Sequence, residues 1–599
     1  MSTFSDFGPL TERRRAELKQ KQRKRMVLAG SSVFVVLIVV IAGVAVLSRQ
    51  PTHEASKGSG SSGKPSSNNA PSTTQMHAIS KSVEVICSPT DYKDMCVKSI
   101  TKATNTTSSP KDMIRAAVSV IREELGNAFS VSSLLKSNDS RVKQAIEDCN
   151  EHYENVKDHL ASTLEGIDMH KLDDLPTRSH QFRVWLSAVV SYQETCIDGF
   201  PDGDLKTKME KAMKDGKELS SNALAILAKL SDFLSALNIK IPGINRRLLS
   251  EESAHPELDE EGIPSWVSDE DRRILVGKVK GNLKPNVVVA KDGSGAFTSI
   301  NAALKAIPKD YEGRYVVYVK EGEYDEQVLI PKKMANITMI GDGSQKSIIT
   351  GNKNFVDGLT TYKTATVAVM GDGFMAIAMG FRNTAGAIKH QAVALRVQSD
   401  RSIFLNCRME GYQDTLYAHS LSQFYRSCVI SGTIDFLFGD ATAVFQNCIF
   451  TVRRPLDNQQ NIVTAQGRIN PHETTGFVLQ KCKIVADKAL IPDKAKIKSY
   501  LGRPWKEYSH TMIMESEIDD FIHPDGFLPW NGDFALKTLT YREFNNNGPG
   551  AATAGRVKWP GYKLVKDKAE ATKYTVTNFL HGEPWIRPTG TPVKTGLYM

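Results

Sequence analysis

Three polar residues follow successive copies of one short recurring motif at a fixed distance. Gln391, Asp414 and Asp435 each stand seven residues after the last position of a copy. If the copies mark successive coils of a repeating fold, the three residues lie above one another, about 4.8 Å apart as neighbouring β-strands are. Two carboxyl groups this close raise each other's pKa, which suits one for nucleophilic attack and the other for proton transfer. On spacing alone, a ladder of Asp side chains that cap turns is an equal alternative.

The motif, called the coil motif below, is an aromatic or Leu residue followed two positions later by Asn, Ser or Lys and then by Thr or Cys. Its five copies are Phe381–Thr384, Phe404–Cys407, Tyr425–Cys428, Phe445–Cys448 and Leu479–Cys482. Successive copies end 23, 21, 20 and 34 residues apart, among segments rich in Val, Ile and Phe. This period predicts a parallel β-helix, since the signature of the competing leucine-rich repeat is absent. Stacked Cys would form either a disulfide, as between Cys428 and Cys448, or a row of buried thiols.

Longer stretches around these residues resemble the plant pectin methylesterases, or pectinesterases, over nearly the whole C-terminal half. Six motifs carry the resemblance: Asp292–Gly295, His390–Arg396, Gly411–Leu416, Asp435–Gly439, Val463–Arg468 and Leu501–Trp505. The resemblance implies that residues 278–599 form a right-handed parallel β-helix. It further implies a carboxylic ester hydrolase that acts on methyl-esterified homogalacturonan, the backbone of pectin, and that needs no cofactor and no metal.

The resemblance also implies a role for each residue at a matching position. Asp435 matches the nucleophile, and Asp414 matches the proton donor that later acts as general base. Gln413 and Gln391 match the amides that stabilise the developing negative charge on the ester oxygen. Arg503 matches the guanidinium that holds the nucleophile. The implied substrate contacts are Thr361, Gln391, Arg503 and Trp505.

The residue types favour ester hydrolysis over other reactions on a β-helix. A polygalacturonase or pectate lyase is the first alternative, because glycosidases also use paired carboxylates, but the Gln pair and the Gly-Arg-Pro-Trp motif indicate acyl chemistry. A lyase would depend on calcium. The second alternative is a catalytically silent binding protein. Trp505 is expected to stack on sugar rings, with Tyr412 and Tyr417 as weaker candidates.

Three positions depart from the pattern of the family. Asp440 stands where Asn usually follows Phe-Gly, His510 where Arg is common, and Ala376–Met379 where a more polar stretch is usual. None of them belongs to the expected catalytic set. Asp440 adds a third carboxylate five residues after Asp435 and could alter the pH dependence of the reaction.

The N-terminal half has the periodicity of helices. Between about residues 76 and 237, apolar residues recur three and four positions apart with few Gly or Pro between them, which predicts an all-α bundle of about four long helices. The region contains four Cys: Cys87, Cys96, Cys149 and Cys196. Pairing the first with the second and the third with the fourth is one of three possible connectivities.

This helical region resembles the pectin methylesterase inhibitor domain that plants often fuse ahead of the enzyme. The resemblance rests on the Cys spacing and on the helical pattern over residues 76–237. It implies an inhibitor or folding aid that acts within the chain until processing, and it makes separate inhibitor proteins possible partners of the enzyme. A structural spacer is the alternative.

The N-terminus predicts export through a membrane. Residues 27–47 form an uncharged run of 21 residues, and eight basic residues precede it. This length and charge order predict a transmembrane signal anchor, with residues 1–26 as a cytoplasmic tail. A cleaved signal peptide is the alternative, although its apolar region is normally shorter. Residues 48–75 are rich in Ser, Gly, Pro and Asn, which predicts a disordered stalk.

A charged linker at residues 238–277 separates the two halves. It contains Arg246-Arg247-Leu248-Leu249, whose basic pair is a candidate site for a processing protease. Candidate glycosylation sequons begin at Asn105, Asn138 and Asn336. Together these features predict a precursor in secretory-pathway membranes and a mature enzyme in the extracellular cell wall.

Length and composition fit this multidomain reading. The 599 residues allow three or four domains, and 41% hydrophobic with 24% charged residues is an ordinary globular composition. The net charge of +9 comes from dispersed Lys and Arg, so it does not indicate nucleic-acid binding. Lys and Arg outnumber Asp and Glu in the C-terminal half, which predicts salt-sensitive binding of a polyanion such as partly demethylated pectin.

Overall fold

Two kinds of secondary structure follow one another along the chain, helices first and short parallel strands second. The computed structural model describes residues 82–105, 108–236, 285–309 and 311–598, all within one unit, Ser72–Met599. The expected cytoplasmic tail, membrane anchor, stalk and processing site lie outside the described residues. Within the described ranges, no helix is both long enough and apolar enough to cross a membrane.

The N-terminal region is helical, as its apolar periodicity predicts. Residues 82–87 are helical, and the helices that follow are α1 Lys93–Ala103, α2 Pro110–Ser133, α3 Ser140–Met169, α4 Leu175–Asp198, α5 Asp204–Ala228 and α6 Leu230–Ala236. Local sequence explains where two of them begin. Ser109 and Asp112 form a reciprocal capping box at the start of α2, and the Asp139 carboxylate accepts two backbone N–H groups at the start of α3.

The four longest helices, α2 to α5, pack around one apolar core. Helix α3 contacts α2 and α4, and helix α5 contacts the same two, so each long helix lies between two others. The two disulfide bonds of the region are Cys87–Cys96 and Cys149–Cys196. The second bond joins α3 to α4 in the core. Of the three connectivities that the sequence leaves open, the structure has this one.

The C-terminal region consists of three parallel sheets. The eleven-stranded sheet contains β1 Val287–Val289, β2 Tyr315–Val319, β5 Ile337–Gly341, β8 Met375–Ile377, β11 Ser402–Leu405, β14 Ser422–Arg426, β17 Thr442–Gln446, β20 Gly476–Gln480, β23 His510–Met514, β25 Thr540–Phe544 and β26 Tyr562–Leu564. The eight-stranded sheet contains β3 Gly322–Asp325, β6 Ser347–Gly351, β9 Gly380–Asn383, β12 Arg408–Glu410, β15 Val429–Gly432, β18 Ile449–Val452, β21 Lys483–Ala486 and β24 Glu517–Ile518. The seven-stranded sheet contains β4 Val328–Ile330, β7 Val367–Val369, β10 Leu395–Val397, β13 Leu416–Ala418, β16 Leu437–Gly439, β19 Asn461–Gln466 and β22 Ser499–Gly502.

Short helical segments accompany the sheets. The α-helices are α7 Ile300–Lys305, α8 Lys568–Thr572 and α9 Glu583–Ile586. Turns of 3-10 helix occur at Leu172–Asp174 in the helical region and at Thr361–Thr364, Ala387–Lys389, Ile491–Asp493, Pro549–Ala551 and Arg587–Thr589 among the strands, and a π-helical turn at Val576–Leu580. The turn at Thr361–Thr364 leads directly into β7, and that at Ala387–Lys389 lies between β9 and β10.

Successive strands pass to the seven-, the eleven- and the eight-stranded sheet in turn, which makes the region a parallel β-helix. Neighbouring coils are in register, as in the pairing of Leu395 with Leu416. Inside the coil, equivalent side chains stack: the rings of Phe404 and Tyr425 are 4.8 Å apart, and those of Tyr425 and Phe445 are 4.4 Å apart. The prediction of a parallel β-helix is therefore confirmed.

The helical region and the β-helix have separate apolar cores. The core of the β-helix runs from Val287 to Tyr541, and that of the helical region from Val83 to Leu234, with Leu421 of the β-helix packed against it. Because each region buries its own apolar side chains, each has what an independently folding domain needs.

Four of the five coil motifs form the turn from the eleven-stranded to the eight-stranded sheet. Their third residues, Asn406, Ser427, Asn447 and Lys481, have φ between 52° and 57°, the left-handed conformation that Asn adopts most easily among non-glycine residues. The fifth copy, Phe381–Thr384, lies instead in β9 and the residue after it. Its assignment to the same repeat is therefore wrong.

The Cys residues of the coil motifs are free thiols, so the candidate Cys428–Cys448 disulfide is wrong and the alternative, a row of buried thiols, is present. The thiol of Cys428 donates to the carbonyl oxygen of Phe404 at 3.3 Å, and that of Cys448 donates to the carbonyl oxygen of Tyr425 at 3.6 Å. Each sulfur thus contacts the backbone of the preceding coil. The row of buried thiols comprises Cys407, Cys428, Cys448 and Cys482.

Candidate active site

The two aspartates of the expected site stand at one edge of the seven-stranded sheet. Asp414 lies two residues before β13 and Asp435 two residues before β16, and the pairing of Leu416 with Leu437 keeps these coils in register. The carboxylates therefore stand on adjacent coils, one strand spacing of about 4.8 Å apart. Both residues have a positive φ, 62° for Asp414 and 49° for Asp435. Aspartate is among the non-glycine residues that tolerate this left-handed region, which also occurs at the coil turns, as at Asn406 and Asn447.

The glutamines do not follow the register that spacing predicts. Gln391 forms a β-bridge with Gln413, so it lies beside that residue and not above Asp414, and the expected column of Gln391, Asp414 and Asp435 is wrong. The seven-residue spacing predicts the wrong register for Gln391 because Phe381–Thr384 belongs to the eight-stranded sheet and not to the turn that the other four copies form. The 3-10 turn Ala387–Lys389 lengthens the same coil. As a result, the backbones of the two glutamines pair beside the coils that carry the two aspartates.

Gln413 has a partly buried side chain whose amide oxygen accepts no hydrogen bond among the described residues. The amide nitrogen, and not this oxygen, is the atom that could donate to a bound oxygen. Gln391, which pairs with it, is only half-buried. Amides are neutral donors, so they can stabilise an oxyanion without binding the nucleophilic carboxylate permanently.

Arg503 makes a two-point contact with Asp435. Its Nε donates to Oδ1 at 2.8 Å and its Nη2 donates to Oδ2 at 2.5 Å. The guanidinium also lies over the ring of Trp530, 4.3 Å from the centroid. A fork of this kind fits an ionised carboxylate, and the indole below it limits the positions that the guanidinium can take.

The carboxyl group of Asp414, next to Asp435, favours its protonated form. Burial raises the pKa of Asp414 well above the usual range of an aspartate, the negative charge of Asp435 raises it further, and Arg503 acts in the other direction. Asp414 therefore keeps its proton to a higher pH than an ordinary aspartate does, while the two-point contact with Arg503 fits the ionised form of Asp435. One acid and one carboxylate thus stand side by side, which is the division of labour that nucleophilic attack with proton donation requires.

A patch of aromatic side chains covers the outer face of the same sheet. The rings of Tyr417 and Phe438 stack 4.2 Å apart, and the Trp505 ring meets Phe438 edge-on at 5.9 Å. Gly467 lies under this indole, because a Cβ there would come within 2.8 Å of the Trp505 ring. The patch, here called the aromatic platform, comprises Tyr362, Tyr417, Phe438 and Trp505.

The remaining sequence-predicted residues divide between two places. Thr361 begins the 3-10 turn before β7, directly beside Tyr362 of the aromatic platform. Tyr417 belongs to the platform itself. Tyr412 does not, since its ring stacks on the guanidinium of Arg453 at 4.0 Å and its hydroxyl accepts a hydrogen bond from that group at 3.0 Å.

Helices α3 and α4 lie against this face of the β-helix. The hydroxyl of Tyr362 donates to Glu151 of α3 at 2.5 Å. The ammonium group of Lys506 donates to Glu194 at 2.8 Å and to Asp198 at 2.7 Å, both on α4. The helical region therefore contacts the residues on both sides of the aspartate pair.

Asp440, the expected third carboxylate, faces the helical region and not the aspartate pair. Its Oδ2 accepts a hydrogen bond from the hydroxyl of Ser191 at 2.5 Å, and its Oδ1 accepts one from Gln466 at 3.1 Å. Burial raises its pKa. Any influence of Asp440 on pH dependence therefore acts at the contact between the two regions.

Sequence reasoning missed three residues of this neighbourhood: Tyr362, Lys506 and Trp530. Tyr362 and Lys506 directly follow Thr361 and Trp505, so their adjacency to expected substrate contacts could have indicated them. Trp530 lies in an irregular stretch after β24, where no repeat spacing applies. Only the fold brings its ring to Arg503.

Comparisons with known proteins agree with this architecture. The pectinesterase family model matches residues 286–583, and the plant invertase/pectin methylesterase inhibitor model matches residues 81–226. A pectinesterase/pectinesterase inhibitor protein of Arabidopsis thaliana, number 45, is 46% identical over 613 residues, which cover 99% of each chain. Pectinesterase/pectinesterase inhibitor 3 of the same plant is 41% identical, over 96% of this chain and 98% of its own.

Among solved structures, the pectin methylesterase from carrot is similar to the β-helix region. It is 50% identical, with a TM-score of 0.52, and the match covers 53% of this chain and 99% of the carrot chain. The relatives with both regions match this chain from end to end. The chain therefore belongs to the pectinesterase family, and in it a pectin methylesterase inhibitor domain precedes the pectinesterase domain.

Proposed function

We propose that this protein hydrolyses the methyl esters of pectin, releasing methanol and leaving galacturonate carboxylates in the cell wall. The observation that carries the proposal is the pairing of an Arg503-bound Asp435 with a buried Asp414 of raised pKa. Similarity to the carrot pectin methylesterase supports the choice of substrate. The aromatic platform adds apolar surface on which sugar rings can stack.

In the first half of the reaction, a carboxylate oxygen of Asp435 attacks the ester carbonyl carbon. The carbonyl electrons move to the oxygen, where the amides of Gln391 and Gln413 stabilise the negative charge. When the tetrahedral intermediate collapses, the bond to the methoxy group breaks. Asp414 transfers its proton to that oxygen, and methanol leaves.

In the second half, water attacks the carbonyl carbon of the acyl-enzyme anhydride. Asp414, now a carboxylate, takes a proton from the water molecule and is restored to its acid form. The anhydride bond breaks, Asp435 leaves as a carboxylate, and the product carboxylic acid gives its remaining proton to solvent to become galacturonate. In the free enzyme, Arg503 binds the Asp435 carboxylate at two points, so Asp435 is the group that attacks and Asp414 the group that donates the proton.

We infer that the helical domain inhibits the enzyme until the linker is cut. The support is its position: α3 contacts Tyr362 of the aromatic platform, and α4 contacts Lys506 next to Trp505. A polysaccharide cannot lie along a surface that two helices already cover. Cleavage at Arg246-Arg247-Leu248-Leu249 would separate the domains covalently.

We also propose the remaining features of the precursor from the sequence. Residues 27–47 would anchor it in secretory membranes with residues 1–26 in the cytoplasm, followed by a stalk at 48–75, an inhibitor domain at 76–237, a linker at 238–277 and a catalytic domain at 278–599. The exposed residues Asn105, Asn138 and Asn336 would carry glycans. The mature enzyme would act in the extracellular cell wall after cleavage by a processing protease.

The finer points of architecture are proposals of the same kind. We infer a right-handed coil, because parallel crossover connections are right-handed in nearly all proteins. We infer a four-helix bundle as the centre of the helical domain. The support is that each of α2 to α5 contacts two others of the set.

The test is methanol release from highly methylated pectin by two forms of the protein, with and without a chelator. The forms are the exported part of the full chain and the fragment 250–599, whose apolar core is its own. We expect methanol from the fragment, with no effect of the chelator, and much less from the longer form. Cleavage of the polymer backbone without methanol would indicate a lyase or glycosidase and overturn the proposal.

A further inference from the structure

The backbone just before Gln391 is held in an unfavourable conformation. His390 has φ 56° and ψ −134°, close to the angles of the first central residue in a type II′ turn, where glycine is usual. A residue with a β-carbon keeps such angles only when the surrounding structure imposes them. The direction in which the Gln391 side chain leaves the backbone is therefore set by the hydrogen bonds around it.

The backbone of Gln391 is bound by two neighbouring segments. Its carbonyl oxygen accepts the N–H of Phe355 at 2.9 Å, and the N–H of the next residue, Ala392, donates to the carbonyl oxygen of Gln413 at 3.2 Å. Both bonds lie before β10, which begins at Leu395. The position of Gln391 therefore depends on how the segment before β10 is fixed to the segments beside it.

The side chain of Asn383 joins these segments. Asn383 ends β9 and is only 2% exposed. Its Oδ1 accepts the N–H of Ala385 at 3.0 Å, so its Nδ2 is the end of the amide that faces the loops. This nitrogen donates to three backbone carbonyl oxygens, those of Lys353 at 2.8 Å, Val393 at 3.1 Å and Thr364 at 3.4 Å.

Each of the three carbonyl groups belongs to a segment that leads to the candidate site. Lys353 stands two residues before Phe355, and Val393 stands two residues after Gln391. Thr364 ends the 3-10 turn that begins at Thr361, an expected substrate contact. One buried amide thus connects the segments on both sides of the Gln391 backbone.

The hydroxyl of Thr364 adds a second connection to the same place. It accepts the N–H of Val393 at 3.1 Å and donates to the carbonyl oxygen of Thr361 at 2.7 Å. Val393 is therefore bound at its N–H by Thr364 and at its carbonyl oxygen by Asn383. Both side chains are buried, and a buried polar group is tolerated because such bonds offset the cost of removing it from water.

We propose that Asn383 is a positioning residue for the oxyanion, which holds the backbone around Gln391 so that the side-chain amide of Gln391 faces the ester oxygen. This inference rests on the proposed function and adds to it the residue that orients one of its two amides. Donors stabilise a developing charge in proportion to how well they are placed before the reaction. Loss of Asn383 should therefore affect turnover more than substrate binding.

The experiment measures kcat and KM for methanol release from highly methylated pectin by the fragment 250–599. Asn383→Asp keeps the size of the side chain and the oxygen that accepts the N–H of Ala385, but it replaces the donating nitrogen. We expect kcat to fall about tenfold and KM to change less than about twofold. In a fragment that already carries Gln391→Ala, the same substitution should lower kcat by less than about twofold, because no amide remains to be oriented.

A second variant tests the same connection if Asn383→Asp does not fold. Thr364→Val keeps the shape of the side chain and removes its hydroxyl, so we expect kcat to fall about threefold, again only when Gln391 is present. Thr364→Ser keeps the hydroxyl and should restore most of kcat.

The matched control is Asn546→Asp. Asn546 also binds backbone groups, since its Nδ2 donates to the carbonyl oxygen of Ile513 and its Oδ1 accepts the N–H of Ser516, both at 3.0 Å. It lies on the turn after β25 of the eleven-stranded sheet, so kcat should not change even if Tm falls.

Three results would overturn the role of Asn383: an unchanged kcat in both Asn383→Asp and Thr364→Val, a rise in KM with kcat unchanged, or an equal loss of kcat with and without Gln391. Failure of the unaltered fragment to release methanol would instead overturn the proposed function.

Discussion

Two pairs of buried carboxyl groups lie in this β-helix, and only one of them is built for chemistry. In the first pair, Asp435 is bound at two points by Arg503 and Asp414 has a pKa raised by burial and by Asp435. In the second pair, burial raises the pKa of Asp440, and burial followed by the charge of Asp440 raises that of Glu473. Both pairs hold protons that an exposed carboxyl group would release.

The partners of the two pairs differ. Asp440 accepts hydrogen bonds from the neutral side chains of Ser191 and Gln466, and Glu473 accepts two from the backbone N–H groups of Ile469 and Asn470. Neutral donors satisfy a carboxyl group without fixing which member carries the charge, and the nearby guanidinium of Arg468 lowers the pKa of both members instead of binding one of them. In the first pair a guanidinium fixes it, which leaves one reactive anion and one acid. Burial alone therefore does not make a catalytic pair.

Replacing the nucleophile should have the largest effect. Asp435→Asn removes the attacking carboxylate but keeps its size, so we expect kcat of the fragment 250–599 to fall by about 1,000-fold or more with little change in folding. The rate of methanol release and the circular dichroism spectrum measure this. Asp440→Asn is the matched control from the other pair, and its activity should be nearly unchanged. A comparable loss of activity in Asp440→Asn would contradict the conclusion that only the Asp414–Asp435 pair is catalytic.

Weakening the guanidinium contact should make the first pair behave more like the second. Arg503→Lys keeps the positive charge but cannot form the two-point contact with Asp435 or the planar stack on Trp530. We expect kcat/KM for methanol release to fall by about 100-fold. The pH–rate profile should also shift, because the division of charge between Asp414 and Asp435 becomes less complete. A profile of unchanged shape would contradict the role given to Arg503.

A change under the aromatic platform should affect binding more than chemistry. Gly467→Ala places a methyl group where the ring of Trp505 lies, so the ring must move. We expect KM for pectin to rise about fivefold, the equivalent of about 1 kcal/mol of lost stacking, with a small change in kcat. A fall in kcat with KM unchanged would mean that Trp505 acts on the aspartate pair instead.

The smallest effect should come from the second pair, as a change in stability with pH. The raised pKa of Asp440 means that the folded protein holds this proton more tightly than the unfolded chain, so stability is lost as the pH rises through that pKa. Asp440→Asn has no proton to lose. We therefore expect the Tm of Asp440→Asn, minus the Tm of the unaltered protein, to increase by about 2 °C as the pH rises. Both values are measured on the exported part of the full chain. A constant difference across the pH range would contradict this assignment.

The sequence by itself determined the kinds of structure and the chemistry. The 20–23-residue spacing predicted stacked coils because each coil must bury the same inward side chains as the next. The apolar periodicity before residue 237 predicted helices for the corresponding reason. The repeat spacing also predicted that Asp414 and Asp435 lie on adjacent coils, because no insertion separates those coils. Sequence motifs alone indicated Arg503 and Trp505.

Only the tertiary structure decided which residues become neighbours where irregular segments connect the strands. The 3-10 turn at Ala387–Lys389 moved Gln391 level with Gln413, and an irregular stretch brought Trp530 under Arg503. Cys428 and Cys448 remain free thiols, a choice between disulfide and thiol that repeat spacing leaves open. The contacts of α3 and α4 with the β-helix join residues more than 200 positions apart. Local pattern encodes what each segment is, whereas long-range packing determines which segments meet.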